Sequence, residues 1–526
     1  MPKGYVAFVL HAHLPYVRHP EYDAFLEERW LYEAITETYL PLIKVLDRIT
    51  AEGVACRLNL SISPSLLAML EDPLLQQRYE AHLAKSIELA ERELERTRHE
   101  PHFHYLAGVY RQFFSESQEL FVNRCRRRLS LAFRQLHEAG VIELMTTTAT
   151  HMLMPLFAAQ PRAVAAQIVT GLDYFASVFG FWPQGMWLPE CGYYPGLDEL
   201  LAKEGVRFLL TESHGIEHAS TTPCYGVHAP LYTPTGVAAF GRDQGSTRQV
   251  WSAREGFPGH PDYREFYRDI GHDLDFQYLE SYTAGGVRAD TGIKYYRITG
   301  PTAWKEPYHP EIARERAAQH AGDFLRQRIA HIEYLSSAMA TAPVVVAPFD
   351  AELFGHWWFE GPQWLDFVIR QAACDQDVVA LISLSAYLDR HPVHQSGVPC
   401  TSTWGHKGYF EGWLNGRTDW LYPQLYECGC RLAALVDRYR QGDVLALVQQ
   451  VLNQCLRELR LGQGSDWSFL INNGTAADYA SRRVRDHVAR FRALADAIEH
   501  DRINLEYLLA LEQMDNPFPQ ADYRIF

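Results

Sequence analysis

The sequence predicts an α/β protein, a parallel β/α barrel followed by a largely helical C-terminal part. Three observations carry this. Short apolar runs such as Val344–Ala347 alternate with long helix-favouring segments, the order expected of βα units around a parallel sheet. Several of those runs end in His, Asp or Glu, and parallel barrels collect their functional groups at the carboxyl ends of their strands. At 526 residues the chain exceeds one ordinary core, so a barrel-sized domain with one or two smaller ones is expected.

Tyr5–Leu10 reads as the first strand and delivers His11 and His13, which share a face because strand side chains repeat every two residues. Such a pair suits metal ligation, donation to a substrate's hydroxyls, or plain core and capping roles. Phe25–Asp47 has a helical pattern, Arg57–Ile62 that of a second strand, and Ser63-Pro64 opens another helix. Residues 74–140 carry no strand signal. They are charged, helix-favouring segments joined by a turn at Pro101-His102-Phe103-His104, which predicts a helical insertion. Val141–Thr148 resumes as strand, with His151 just beyond it. A helix over Pro161–Gly180 leads to a short strand running into Glu190, with Trp187, Tyr193 and Tyr194 around it. A lone loop Glu is ordinarily surface, but this aromatic setting, with Pro189 and Gly192, argues for a fixed and partly desolvated carboxyl.

Gly205–Leu210 is the next strand, followed by Thr211, Glu212 and His214. Ala229–Gly259 lacks periodicity and is rich in Gly, Thr, Pro and Arg, which predicts a long loop near the site, with Tyr232 its conspicuous aromatic. Arg264–Leu274 and Lys294–Ile298 add charged and aromatic groups, and a long helix covers Glu311–Ala340. Val344–Ala347, apolar on both faces, then opens into Asp350, Glu352, His356, Trp357, Trp358, Phe359 and Glu360. An isolated Asp there would read as a helix cap. Two carboxylates and an imidazole crowded among Trp residues instead suit a flat, hydroxylated ligand such as a sugar ring. A helix after Asp366 and a strand over Val378–Ser383 complete the alternation, and seven or eight strands would fit.

Pro399–Asp419 reads as an aromatic, Gly-rich linker that exposes Trp404 and Trp413 as platforms. From Trp420 the chain is helical, interrupted at Gly462–Gly474, where Asp466 either starts a helix or reaches into the cleft. The expected parts are a catalytic barrel over 1–400 that includes the 74–140 insertion, a linker over 401–419 and a helical domain over 420–526.

Composition narrows the function. A formal charge of −15 and a pI near 5.8 disfavour nucleic acid and anionic membrane as partners and leave a neutral ligand such as polysaccharide natural. Aromatics make up 13% of residues, with 12 Trp and 29 Tyr, several in polar, Gly-rich context that points towards carbohydrate. The N-terminus lacks a basic flank with a long apolar region, and no later run approaches membrane-spanning length, so a cytoplasmic protein is expected. Nine scattered Cys residues suit a reducing compartment, and Cys428 and Cys430 have no second ligand pair at finger-like spacing.

Four stretches, HAHLPY near the start, WLPECGYYPG with Glu190, PFDAELFGHWWFEG with Asp350, and SDWSFL near the end, together resemble glycoside hydrolase family 57, and within it the 1,4-α-glucan branching enzymes. The resemblance covers nearly the whole chain. It implies a (β/α)7 barrel with a helical insertion and a C-terminal helical domain. It also implies Glu190 as nucleophile, Asp350 as general acid/base, and His11, His13, His151, Arg264, Trp404, Trp413 and Asp466 as substrate-binding residues. The family's mobile-loop Tyr finds no counterpart in GVAAFGRDQGSTRQ. The leading expectation is a retaining branching enzyme that forms α-1,6 links on an α-glucan, as a monomer, with no metal or organic cofactor. The alternatives are an α-amylase or 4-α-glucanotransferase on the same site, a metal-dependent hydrolase using His11, His13, His151 and Asp350, and a non-catalytic glucan binder.

Overall fold

The computed structural model describes residues 2–252, 255–283, 286–441 and 444–526. Its strands are β1 (Gly4–Ala12), β2 (Leu58–Ile62), β3 (Ile142–Met145), β4 (Gly185–Met186), β5 (Phe208–Thr211), β6 (Leu231–Tyr232), β7 (Ala238–Gly241), β8 (Val344–Asp350) and β9 (Val379–Leu381). One parallel sheet runs β3-β2-β1-β8 and a second sheet runs β4-β5-β7-β6. They join at two seams. Trp187 N donates to Thr146 O at 2.8 Å between β3 and β4, and Asp243 N donates to Val346 O at 2.9 Å between β7 and β8. Seven parallel strands, β1–β5 with β7 and β8, thus close a (β/α)7 barrel.

β9 is a short additional parallel strand. It pairs with the first residues of β1, Gly4–Val6, while β2 pairs with the later residues Val9–Ala12. The eighth run seen in the sequence is therefore present without widening the ring.

Alternation along the strands sorts side chains into two cores. Tyr5, Ala7 and Val9 of β1 pack inside the barrel with Trp187, Phe208, Leu210, Ala238, Phe240, Val344 and Val346. Val6, Phe8 and Leu10 face outwards and join Leu58, Leu60, Ile62, Val345, Ala347 and Phe349 against the surrounding helices. The inward parity extended to the strand ends selects His11 and His13, Ser61 and Ser63, Glu212, Arg242 and Asp350.

The helices largely follow the sequence pattern. Two long helices, Pro73–Arg96 and Pro101–Glu119, form the core of the 74–140 region. Pro101-His102-Phe103-His104 is the first turn of the second helix, with Pro at a position where its missing N–H costs nothing. Residues from the 263–308 segment pack on this pair: Tyr278 and Tyr295 donate to the Glu93 carboxylate, and Tyr110 donates to Lys294 O at 2.6 Å. The expected helix over 25–47 is broken into a 3-10 turn, a short α-helix, a π-helical stretch Ala34–Tyr39 and an α-helix Leu40–Ala51. The π stretch brings Glu37 O so close to Gly355, at φ 115°, that a Cβ there would lie 1.8 Å away.

The region read as a long loop, 229–259, instead holds β6, β7 and the helix Gln244–Trp251, while 253–254 lie outside the described residues. Alternation over Ala238–Gly241 is hidden because a barrel strand is apolar on both faces. The C-terminal part contains helices Leu421–Tyr439, Ala446–Gly462, Ser465–Asn473, Ala477–Glu499 and Leu505–Met514. Among the described residues no helix is long and apolar enough to cross a membrane.

Candidate active site

Each candidate group sits where a strand runs out. The register of β1 against β8 places His11 beside Asp350, and that of β1 against β2 places His11 beside Ser61. Glu190 follows β4 in a tight turn, at φ 60° and ψ 23° with Cys191 at φ 51°, left-handed backbone that a non-glycine residue adopts at a cost. Residues 402–404 hold this turn: Trp404 N and Thr403 Oγ1 donate to Glu190 O at 2.9 and 3.0 Å, and Tyr193 pairs with Ser402.

The Glu190 carboxylate has two side-chain donors. Trp404 Nε1 reaches Oε2 at 2.7 Å and Ser465 Oγ reaches Oε1 at 2.9 Å. Burial pushes its pKa above the ordinary value, the two donors oppose that, and Asp466 adds to it. Asp350 differs. Among the described residues no donor meets its carboxyl, and burial with the negative neighbours Glu352 and Glu190 holds its pKa well above the usual carboxylate range, with Arg242 acting against them. Burial raises both pKa values, but two donors restrain the rise at Glu190 while Asp350 lacks such donors among the described residues, a difference of the kind that separate acid and base roles require.

Around them stand further charged groups. Glu352 accepts from His13 N at 3.2 Å and from the Tyr39 hydroxyl. His13 Nε2 lies 3.0 Å from both Asp466 oxygens; burial opposes its protonation, but Asp466, Glu352 and Glu190 carry its pKa above the ordinary value. Arg242 Nη1 donates to Glu212 Oε2 at 3.1 Å, and Gln244 Nε2 donates to Glu212 Oε1 at 3.0 Å.

The histidines are fully engaged within the protein. His11 meets Ser61 through Nδ1 at 3.1 Å and His151 through Nε2 at 2.9 Å, His13 meets Ser63 through Nδ1 at 2.8 Å and Asp466 through Nε2, and His151 meets Ser465 through Nδ1 at 2.9 Å. Each ring nitrogen of these three histidines thus has a partner within the protein, which fixes the orientation of the rings. His13, His151 and Asp466 do gather ligand atoms within 4.8 Å, as a metal would require. The two rings, however, stack face to face with centroids 3.8 Å apart, and lone pairs lying in parallel ring planes do not converge on one ion. This donor set fits a metal poorly.

Other candidates separate from the cluster. Trp404 is half-buried, packed edge-on to Trp187 at 5.2 Å and tilted against Trp251 at 6.2 Å. Trp413 is no exposed platform: it is 2% exposed and stacks on Phe469. Within 401–419, Ser402, Thr403, Trp413 and Thr418 are buried, while Tyr409 and Leu414 stay exposed. Arg264 is buried against Phe359, 3.9 Å from its ring centre, with Glu37, Tyr110 and Glu360 as partners; its described contacts support the 354–360 loop rather than Glu190 or Asp350. Tyr232 lies at the other end of the barrel, because it pairs with Ala238, where β7 begins. Asp466 lies in the first turn of the helix that starts at Ser465, and its carboxylate meets His13.

Ser61, Ser63, Glu212, Arg242 and Ser465 were not singled out from the sequence. Inward parity would have found the first four. Ser465 opens the SDWSFL stretch, where its neighbour Asp466 draws the reading instead.

A β/α barrel with paired carboxyls and packed aromatics at the carboxyl ends of its strands is the build of a carbohydrate-active enzyme. The chain belongs to glycosyl hydrolase family 57, which residues 7–396 match, and residues 424–526 match the C-terminal region of 1,4-α-glucan branching enzymes. It is 31% identical to a 1,4-α-glucan branching enzyme of Thermococcus kodakarensis over 98% of this chain and 77% of that one. Among solved structures it is similar to the α-amylase AmyC of Thermotoga maritima, with TM-score 0.93, 42% identity, and 99% and 98% of the two chains covered. It is also similar to the family 57 branching enzyme of Pyrococcus horikoshii, with TM-score 0.89, 30% identity, and 99% and 96% covered.

Proposed function

We propose that the chain is a retaining 1,4-α-glucan branching enzyme with Glu190 as nucleophile and Asp350 as general acid/base. The reading takes 1–400 as the catalytic barrel, 401–419 as a cleft-lining connection and 420–526 as a helical domain, in a cytoplasmic monomer that builds glycogen-type glucan. One observation supports it above the others: burial raises both carboxyls, but Glu190 has a donor on each oxygen, which favours the anion, while Asp350 has none among the described residues and faces Glu352 and Glu190, which outweigh Arg242 and favour the acid.

The chemistry then balances in two displacements. Glu190 attacks the anomeric carbon of an α-1,4-linked glucose, the bond to the leaving O4 breaks, and that oxygen takes the Asp350 proton. Asp350, now a base, removes the proton of an acceptor 6-hydroxyl. The acceptor oxygen attacks the same carbon and Glu190 leaves as carboxylate, giving an α-1,6 link. Trp404, with Trp251 beside it, offers aromatic surface next to the nucleophile, and His13 and Asp466 supply polarity. Arg264 and Trp413 act as supports and Tyr232 takes no part.

The likeness to AmyC favours one second reading, hydrolysis, in which water replaces the 6-hydroxyl on the same glycosyl-enzyme. Incubation with amylose separates them. Branching gives new α-1,6 anomeric proton signals with few new reducing ends, whereas reducing ends without those signals would replace branching by hydrolysis.

A further inference from the structure

Ser465 Oγ lies 2.9 Å from Glu190 Oε1 and 2.9 Å from His151 Nδ1. A carboxylate oxygen only accepts, and a hydroxyl has one proton to give. Ser465 therefore donates to Glu190 and accepts from His151, which places the His151 proton on Nδ1 and leaves a lone pair on Nε2. His11 Nε2, 2.9 Å from that lone pair, must then carry a proton, and His11 Nδ1 accepts from Ser61 Oγ at 3.1 Å. One end fixes the direction of every bond: Ser61 to His11, His11 to His151, His151 to Ser465, Ser465 to Glu190.

The chain is built rather than incidental. Ser61, His11, His151 and Ser465 are between 0% and 4% exposed, and His11 stacks on Trp187 at 4.6 Å with the planes 10° apart. Ser465 N also donates to His151 O at 3.0 Å, so the serine and the histidine are clasped by backbone and side chain together. His151, like Glu190, has left-handed backbone, at φ 58°. Burial first, and the neighbouring His13 second, keep His11 and His151 well below the ordinary histidine pKa, so the rings remain neutral and keep one proton each.

We propose that Ser465, oriented by the Ser61–His11–His151 chain, is a positioning residue that holds Glu190 ionised and in one orientation, so that the C-terminal helical region completes the reaction centre of the barrel. This rests on Glu190 being the nucleophile. Besides Ser465 and Trp404, Glu190 faces His13 from the end of β1, His151 from the turn after β3, Asp350 from β8 and Asp466 from the helix that carries Ser465.

The test uses the full chain and follows kcat and KM separately for a short maltooligosaccharide across pH. Ser465→Ala is expected to lower kcat about 10- to 100-fold with KM little changed, and to move the acid limb of kcat/KM to higher pH, because an ionised carboxylate has lost a donor. Ser465→Thr is expected to restore most of kcat and return the limb. A second pair keeps the proposal testable if the alanine variant fails to fold. His151→Asn places an amide N–H where Nδ1–H stood and tolerates left-handed backbone, so it should retain the limb, whereas His151→Gln places its amide at the Nε2 position and should move it. A Ser465→Ala loss confined to KM, with the acid limb in place, would overturn the proposal, as would equal limbs in the two His151 variants. Glu190→Gln distinguishes the two levels: activity in that variant would overturn the nucleophile itself, while its silence beside an unaltered Ser465→Ala enzyme would overturn only the chain.

Discussion

Replacing Trp404 by Phe removes one N–H from the centre of the site and leaves most of its surroundings. Trp404 Nε1 donates to Glu190 Oε2 at 2.7 Å, and its ring packs against Trp187 with centroids 5.2 Å apart. Its backbone N independently holds Glu190 O at 2.9 Å, so the strained turn keeps its clasp in the variant. A hydrogen bond to a charged acceptor contributes about 1.5–3 kcal/mol. Its loss removes one of the two donors that hold the Glu190 pKa down, so that pKa rises. The sign follows from the state the donor favours, which is the ionised one. Attack requires that same ionised form, so the acid limb of kcat/KM should move to higher pH, and the donor's contribution corresponds to roughly a tenfold to hundredfold loss of kcat/KM below the limb. Well above the limb the ionisation deficit disappears, and only misorientation remains. A pH profile of kcat/KM on a maltooligosaccharide measures both parts. An acid limb that stays in place or moves to lower pH would refute this account of the carboxylate.

Two further predictions concern the neighbouring acid. Glu352→Gln removes a negative charge that raises the Asp350 pKa while retaining an acceptor for Tyr39 and His13 N. The basic limb, which reports loss of the Asp350 proton, should therefore move to lower pH, and a profile unchanged on that side would show that Glu352 does not set it. Gly355→Ala drives a Cβ to 1.8 Å from Glu37 O at φ 115°, which should cost roughly 2–5 kcal/mol in denaturant unfolding. It should also lower kcat, because the displaced π-helical stretch carries the Tyr39 that contacts Glu352.

The parts of the fold legible in the sequence are those set by local pattern. The strand ends at His11, His151, Glu190 and Asp350 were visible because apolar runs give way there to polar groups. Inward parity from Tyr5, Ala7 and Val9 reaches His11 and His13 directly, and the same parity on β2, β5, β7 and β8 reaches Ser61, Glu212, Arg242 and Asp350. What local pattern leaves open has a different cause. Trp413 reads as an exposed platform from its aromatic, Gly-rich context and Arg264 enters only through the family resemblance, yet tertiary packing buries both. Tyr232 was placed near the site because β7 is apolar on both faces and gave no alternation to orient the segment. His13 and Asp466 touch across 453 residues of sequence, a contact no local pattern encodes. Ser465 belongs to the same category. The π-helical stretch at Ala34–Tyr39 keeps a helical pattern in sequence and shows itself only through its closeness to Gly355.

The most direct test of the central claim is to trap the glycosyl-enzyme. A fluorinated maltosyl fluoride that forms the ester readily and releases it slowly, followed by intact mass and peptide mapping, asks which side chain takes the sugar. One glycosyl unit should appear on the peptide carrying Trp187 to Tyr194, with Glu190 as the modified residue, and it should be absent from Glu190→Gln. An adduct on Asp350 would reverse the assigned roles, and turnover of the reagent with inversion and no adduct would contradict double displacement altogether.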